Sequence, residues 1–406
     1  MATIDAALKG ARLRAIAALR RFSGDLDQAE DAFQDAAERA LQHWPNDGVP
    51  DNPTGWLIQT GKRRLIDIAR RQQRQTQLTE EPAAETDEPN LSAIDDDALR
   101  LIFTCCHPAL SEDAQVALTL KVIAGLSAHD VALAFLIPTR TLEQRLDRAR
   151  RKIRTAGIPF AIPQDQELPE RRNAALSVIY LIFNQGYSAR ADGLIQPALC
   201  AEAIWLARNL LRLFPGHAEL TGLLAMMLFH HARHRARQSA TGAFVPLAEQ
   251  DASLWNTTLI NEAQALLDHV LGKHAPGPFQ TQAAIAALHC ANDPQGTDWA
   301  QIAALYDILE HQLANPVVSI NRAAALCESG DPEGALAVLE HAQSQANFEN
   351  YGPFLVNAAN IHSHLGHPKR SRAYMERALA VTVHPAEREY LAARLPELSE
   401  QKLDIT

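Results

Sequence analysis

The chain has 406 residues, 47 % of them apolar and 21 % charged, with a formal net charge of −10. That composition fits a globular protein with room for two to four cores, and it excludes a protein that coats nucleic acid over its whole surface. No apolar run approaches the roughly 18 residues of a membrane span, and the first residues lack the apolar stretch of a secretory signal. The five cysteines are scattered and odd in number, which is no disulfide framework. The chain is therefore expected in the cytoplasm, without membrane contact.

Apolar residues recur at i, i+3, i+4 spacing between Ser, Asp, Asn or Pro starts and Gly stops, and strand alternation is nearly absent. The fold is expected to be all-α. Residues 1–74 read as a first helical unit, 75–97 as a flexible acidic linker and 98–157 as a second compact unit. Residues 158–170 read as a short polar bridge, and 171–397 as a long helical part.

In the first unit, "DLDQAEDAFQDAAERALQHW" carries a small-residue stripe of Ala29, Ala32, Phe33, Ala36 and Ala40. Glu30, Asp31, Asp35 and Glu38 are expected off that stripe. An acidic face repels DNA and suits a basic protein partner. "NPTGWLIQTGKRRLIDIARRQQR" follows, with Asn52 as helix cap and Pro53 in the first helical position. This helix carries Lys62, Arg63, Arg64, Arg70, Arg71 and Arg74 against Asp67 alone. Taken by itself, Trp56 reads as a core aromatic beside Leu57, and Asp67 with Arg71 as an i, i+4 surface pair. The linker then holds eight acidic residues and no Lys or Arg.

The second unit contains "GLSAHDVALAFLIPTRTLEQRLDRARRKIR". Ser127 and Asp130 have capping-box spacing, and Leu126 and Val131 that of a hydrophobic staple. The helix they start is expected to end near Leu136, and Pro138 to serve the turn or the next helix start. In that next helix Leu142, Leu146, Ala149 and Ile153 form one buried stripe. Arg140, Gln144, Asp147, Arg148 and Arg151 lie opposite, flanked by Thr141 and Arg145. Two helices joined by a tight turn, the second basic on its free face, fit a helix-turn-helix that enters a major groove. An ordinary helix hairpin with a solvated charged face is the alternative.

Two further clusters hold residue types that can bind metals. Cys105, Cys106 and His107 are adjacent, and neighbouring residues on a helix diverge too far to share one ion, so buried thiols are expected. In "FHHARHRAR", His230 and His234 have ligand-compatible spacing but lack the Glu of a zinc-protease motif. The expectation there is an exposed polar helix end, with an anion among the neighbouring cations as another reading. Near the end, "SGDPEGALAVLEHA" and "LGHPKRSRAYMERALA" align with Gly330 on Gly366, a period of 36 residues. Ala335 then matches Ser371, Leu339 matches Met375 and Ala342 matches Ala378. Such offsets resemble tetratricopeptide repeats.

Together, "AEDAFQDAAERAL", "WLIQTGKRRLIDIARR" and the helix-turn-helix segment resemble bacterial sigma factors of the extracytoplasmic-function type, in order and spacing. "FTCCHPALSEDAQVALTL", "VIYLIFNQGYSA", "TDWAQIAALYDIL" and "NPVVSINRAAAL" resemble the subgroup with a tetratricopeptide-like C-terminal extension. The family's −10-recognition helix usually carries Asn where this chain has Arg63. The resemblance implies two small helical sigma domains and a helical-repeat domain, acting without catalytic group, metal or cofactor. It implies that Glu30, Asp31, Gln34 and Asp35 dock on the β′ clamp helices of core RNA polymerase, with a further contact to the β flap. It implies that Trp56, Lys62, Arg63, Arg64, Arg70 and Arg71 meet the promoter −10 element, and that Arg140, Thr141, Gln144, Arg145, Arg148 and Arg151 face the −35 element. The acidic linker would thread the polymerase RNA channel, and the extension would regulate through a protein or peptide partner that the sequence does not identify. Three other readings stand beside this one: a repeat-type interaction scaffold without DNA function, a stand-alone helix-turn-helix regulator, and a zinc hydrolase.

Overall fold

The computed structural model describes residues 2–76, 91–134, 137–164, 166–187, 197–237, 245–272, 276–290, 296–313, 315–382 and 385–395. The described residues are helices, turns and loops, with no strand among them. The chain divides into two compact units, Met1–Gln185 and Gly186–Thr406.

The first unit opens with α1 (Ala2–Ser23), α2 (Leu26–Asp47) and α3 (Pro53–Thr76), which pack on one another. Ala29, Ala32, Phe33, Ala36 and Ala40 of α2 are all buried, as the stripe requires. The small side chains leave room for close helix approach. At Gly61 of α3 an added Cβ would sit 2.8 Å from Leu19 of α1 and 3.2 Å from the Ala32 carbonyl. Asp25 caps α2 by accepting from the amides of Asp27 and Gln28, and Asn52 caps α3 by accepting from Gly55 at 2.9 Å.

Helix α4 (Leu91–Cys105) packs on α1. The stretch read as a linker over 75–97 is thus helical at both ends, in α3 to Thr76 and in α4 from Leu91; residues 77–90 lie outside the described residues. One of the eight acids is no tether residue. Asp97 is buried, accepts from Arg100 at 2.6 Å and pairs with Arg21 of α1 at 3.4 Å. After α4 come α5 (Glu112–Leu118), a π-helical turn (Thr119–Ile123), α6 (Ala128–Ala134), α7 (Thr139–Thr155) and α8 (Leu168–Tyr187). α6 is described to Ala134, and the expected end near Leu136 lies outside the described residues. Ser127 Oγ accepts from the Asp130 amide at 3.0 Å and donates to the Asp130 carboxylate at 2.6 Å, which closes the start of α6. Both groups of helices, residues 1–74 and 98–157, lie within this one compact unit.

The second unit holds α9 (Pro197–Leu213), α10 (Ala218–Ala232), α11 (Thr257–Val270), α12 (Pro278–Leu288) and α13 (Trp299–Gln312). It continues with α14 (Pro316–Glu328), α15 (Pro332–Gln345), α16 (Gly352–His364), α17 (Pro368–Val381) and α18 (Pro385–Arg394). α10 is apolar almost all round and packs on α9, α11 and α12. Gly222 permits the contact with α12, since a Cβ there would lie 2.7 Å from the Gln280 amide nitrogen. Glu219 of α10 accepts from the amides of Phe279 and Gln280, so it satisfies the free donors at the start of α12.

The repeat offsets are structural equivalences. α14–α15 and α16–α17 are helix hairpins whose turns place Gly330 and Gly366 at φ +93° and +69°. Only glycine adopts that region without steric cost. Ala335, Leu339 and Ala342 of α15 are buried, and so are Ser371, Met375 and Ala378 of α17. The apolar ones among them share one core with Phe354, Leu355 and Ile361 of α16.

Candidate functional site

The stripe Leu142, Leu146, Ala149 and Ile153 roots α7 in the core of the first unit, and all four are buried. The opposite face is free. Arg140, Thr141, Gln144, Arg148 and Arg151 are exposed, and among the described residues no carboxylate pairs with Arg140, Arg148 or Arg151. Arg145 is half-buried and pairs with Asp113 of α5 at 3.1 Å. α3 presents a second cationic face. Arg63 and Arg70 are exposed or partly so, while Lys62 and Arg64 are half-buried. Lys62 lies over the ring of Phe22 at 5.4 Å, and Phe22 is itself exposed. The side chain of Arg71 lies outside the described residues. Trp56 is neither core nor free: it is half-buried and meets the buried Trp44 edge-on, with ring centroids 5.3 Å apart.

The acidic face of α2 is split. Asp31, Gln34 and Glu38 are exposed. Asp35 is half-buried, with Arg39 at 3.0 Å and Arg64 of α3 at 3.7 Å. Glu30 departs from the expectation: it is 5 % exposed and faces inward. Its place between Leu26 and Phe33 puts it at i+4 and i−3 of two buried residues, at the edge of the stripe. A buried carboxylate needs a partner, and α7 supplies it. Arg150 donates to Glu30 at 2.6 Å and pairs with Asp27 at 2.9 Å, and Arg154 pairs with Asp27 at 2.8 Å. From the other side Arg12 of α1 approaches Glu30 at 3.8 Å while donating to the carbonyls of Val122 and Lys121. Burial pushes the Arg12 pKa down, against the pull of Glu30. For Arg150 burial acts the same way, but Glu30 and Asp27 outweigh it and the net direction is up.

Spacing alone gives no role to Arg12, Asp27, Arg150 or Arg154. A signal exists nonetheless: Arg12 interrupts the apolar run "ALKGARLRAIAAL", and Arg150 stands four residues after the buried Leu146.

Cys105 and Cys106 are buried, and burial pushes the Cys106 thiol up to about 11. The His230–Arg237 stretch is not an exposed polar helix end. Arg233 is buried, His230 packs against Tyr187 and His231 stacks on His234. The rings of His230 and His234 thus turn to different neighbours, and among the described residues no group of three metal-ligating side chains occurs.

Segments of the chain are similar to known proteins. Residues 11–75 match sigma-70 region 2 and residues 100–153 match sigma-70 region 4. Residues 171–271 match a family of unknown function, DUF6596. An uncharacterized protein of Rhizobium meliloti (strain 1021) is 42 % identical, over 99 % of this chain and 97 % of its own length. A probable ECF RNA polymerase sigma factor, SigI of Mycobacterium tuberculosis, is 28 % identical over 47 % of this chain and 70 % of its own length. Among the described residues no helix is long and apolar enough to cross a membrane.

Proposed function

Because the chain belongs to the extracytoplasmic-function group of the sigma-70 family and carries a C-terminal extension, we propose that it directs core RNA polymerase to a distinct set of promoters. It acts by binding and not by catalysis. Asp31, Gln34 and Asp35 on α2, with Glu30 behind them, meet the basic clamp helices of β′, and the α7 unit adds a contact at the β flap. The α3 face, from Trp56 through Lys62, Arg63, Arg64, Arg70 and Arg71, holds the −10 element as the duplex opens. A flipped base costs a few kcal/mol to unstack, which pocket contacts offset. Arg140, Thr141, Gln144, Arg145, Arg148 and Arg151 enter the −35 major groove, where Arg reads guanine, Gln reads adenine and the remaining cations neutralise phosphates.

One observation carries the reading: on a chain whose net charge is −10, Arg63 and Arg70 of α3 and Arg140, Arg148 and Arg151 of α7 are exposed, and the face on α7 is rooted by a fully buried stripe. The closed first unit adds a condition. Glu30 serves the polymerase only when Arg150 and Arg154 release α2, so docking and opening of the α2–α7 contact are one coupled step. The helical extension, including the paired hairpins α14–α15 and α16–α17, supplies a surface for a regulatory protein or peptide. Reconstitution with core polymerase on a genomic promoter library tests the proposal. Run-off transcripts that need the chain are expected. Core enzyme that neither binds the chain nor changes its transcripts refutes it.

A further inference from the structure

One sequence motif, His230–Arg237, has no part in the function above. It closes α10 and enters a 3-10 turn (His234–Arg237). Arg233 stands at the end of α10 with 5 % of its surface exposed. Burying a guanidinium demands a counter-charge. Yet among the described residues no carboxylate lies within ion-pairing distance of Arg233 or of Arg237. Arg233 reaches neutral or aromatic groups: His230 Nδ1 at 3.5 Å, the thiol of Cys290 and the ring of Trp255 at 6.0 Å. Arg237 lies 3.7 Å above the ring of Tyr187 and donates to the Tyr187 carbonyl. His230 meets the same ring, with centroids 4.8 Å apart.

The hydrogen-bond accounting points the same way. Arg233 Nε, Trp255 Nε1 and His289 Nδ1 are all buried, and none has a hydrogen-bond partner among the described residues. Native interiors leave a few such groups per hundred residues, and here two ring nitrogens of that kind, on Trp255 and His289, stand near a buried cation whose own Nε is also unpaired. The histidines are not alternative charges. His289 is held down to about 4 by burial and by Arg233. His230 is held well below its usual value by burial, then by Arg233, Arg237 and His289. Near neutral pH the His289 imidazole is therefore uncharged and adds no cation to the cluster. What remains is a cluster of two guanidinium cations beside the rings of Tyr187 and Trp255, with Arg233 Nε and Trp255 Nε1 unpaired and no acid in ion-pairing reach of either cation among the described residues.

We propose that this cluster at the end of α10 binds a small oxyanion, a phosphate or carboxylate group of a metabolite, with Arg233 as its central partner. Arg237 and the indole N–H of Trp255 are the flanking donors. The aromatic walls of Tyr187 and Trp255 favour an anion carried on a planar or apolar body. The site draws its cations and its indole from the extension, outside the faces assigned to polymerase and promoter, and gives that extension a ligand of its own.

The test is a binding measurement on the full chain, and it does not depend on transcription. Inorganic phosphate and, separately, succinate are titrated by calorimetry and by thermal melting, with sodium chloride at matched ionic strength as control. A saturable rise in melting temperature with at least one of the two oxyanions is expected, and phosphate against succinate tells which group the site prefers. Arg233→Met should weaken that binding about tenfold or more, since charge-assisted bonds dominate it. Without oxyanion the same variant should melt no lower than the parent, because a buried charge with no carboxylate partner among the described residues has been removed. Trp255→Phe keeps the packing and removes one donor, and is expected to weaken binding several-fold; it serves if Arg233→Met does not fold. The proposal is overturned if neither oxyanion saturates, if chloride gives the same shift, or if the variant that folds binds as the parent does. It is also overturned if Arg233→Met melts lower than the parent in oxyanion-free buffer while neither responds to oxyanion, which would make Arg233 a purely structural cation.

Discussion

Arg150→Met isolates the contact that closes the first unit. The substitution keeps most of the side-chain volume and removes the charge, so Glu30 is left, among the described residues, with Arg12 at 3.8 Å. Breaking a buried pair by removing one partner costs ~3–5 kcal/mol. The pair here is deeply but not fully buried, with side-chain exposures of 18 % for Arg150 and 7 % for Glu30, and Arg12 retains part of the attraction. A cost of about 2–3 kcal/mol follows. The pairing of Arg150 with Asp27 adds little, since Asp27 is 44 % exposed and such pairs contribute ~0–1 kcal/mol. Glu30→Gln should cost about 1–2 kcal/mol, because Arg150 keeps Asp27 and Arg12 keeps two carbonyls. The double variant should cost less than the sum by about 1.5 kcal/mol, the signature of a direct interaction. Hydrogen exchange on the amides of α2 and α7 in the intact chain reads these opening free energies without assuming that both units unfold together. A coupling below about 0.5 kcal/mol is indistinguishable from additivity and would refute the contact as the element that closes the unit. If closure opposes docking, Arg150→Met should also bind core polymerase more tightly than the parent, in proportion to the closing energy it removes.

Other perturbations probe separate parts of the molecule. Charge reversal at Asp31 with Asp35 should abolish binding to core polymerase while circular dichroism stays unchanged, and unaltered affinity would misplace the docking face. Arg148→Ala with Arg151→Ala should weaken promoter use and lower the slope of log K against log salt by about 0.9 for each phosphate left without its cation, measured by filter binding of the holoenzyme. Gly125→Ala should destabilise the first unit by about 1–3 kcal/mol. Gly125 has φ +79°, and an added Cβ would meet Arg12 Nε at 2.7 Å, where two carbonyls already fix it; urea unfolding of the full chain measures the destabilisation. Stability of the second unit should depend on pH through His231 and His289, each pushed down to about 4 by burial, with His234 and Arg233 respectively adding to the shift. Between about 4 and 6.5 the unfolded chain binds more protons than the folded one. Stability is therefore full above about 6.5 and falls as pH drops toward 4. His289→Gln should flatten that fall, as followed by urea midpoints across the range.

The helices and their faces were legible in the order of residues. Periodicity is local, so Leu142, Leu146, Ala149 and Ile153 could be assigned to one buried stripe, and Gly330 and Gly366 to equivalent turns, from spacing alone. Caps at Asn52 and Ser127 were legible for the same reason, since each uses neighbours within three residues. Tertiary structure alone decided which helix covers which. Glu30 and Arg150 stand 120 residues apart, and no local pattern says that they meet. That meeting turned an apparently outward carboxylate inward, and it brought the helices on either side of the acidic stretch into one compact unit. The same holds for Arg233. Spacing placed it on a polar helix end, whereas packing of α10 against its neighbours buried it with no acid in reach among the described residues. A periodic pattern fixes the direction in which a side chain points from its own helix; whether that direction ends in water, in an opposite charge or among neutral groups depends on the helix that packs there.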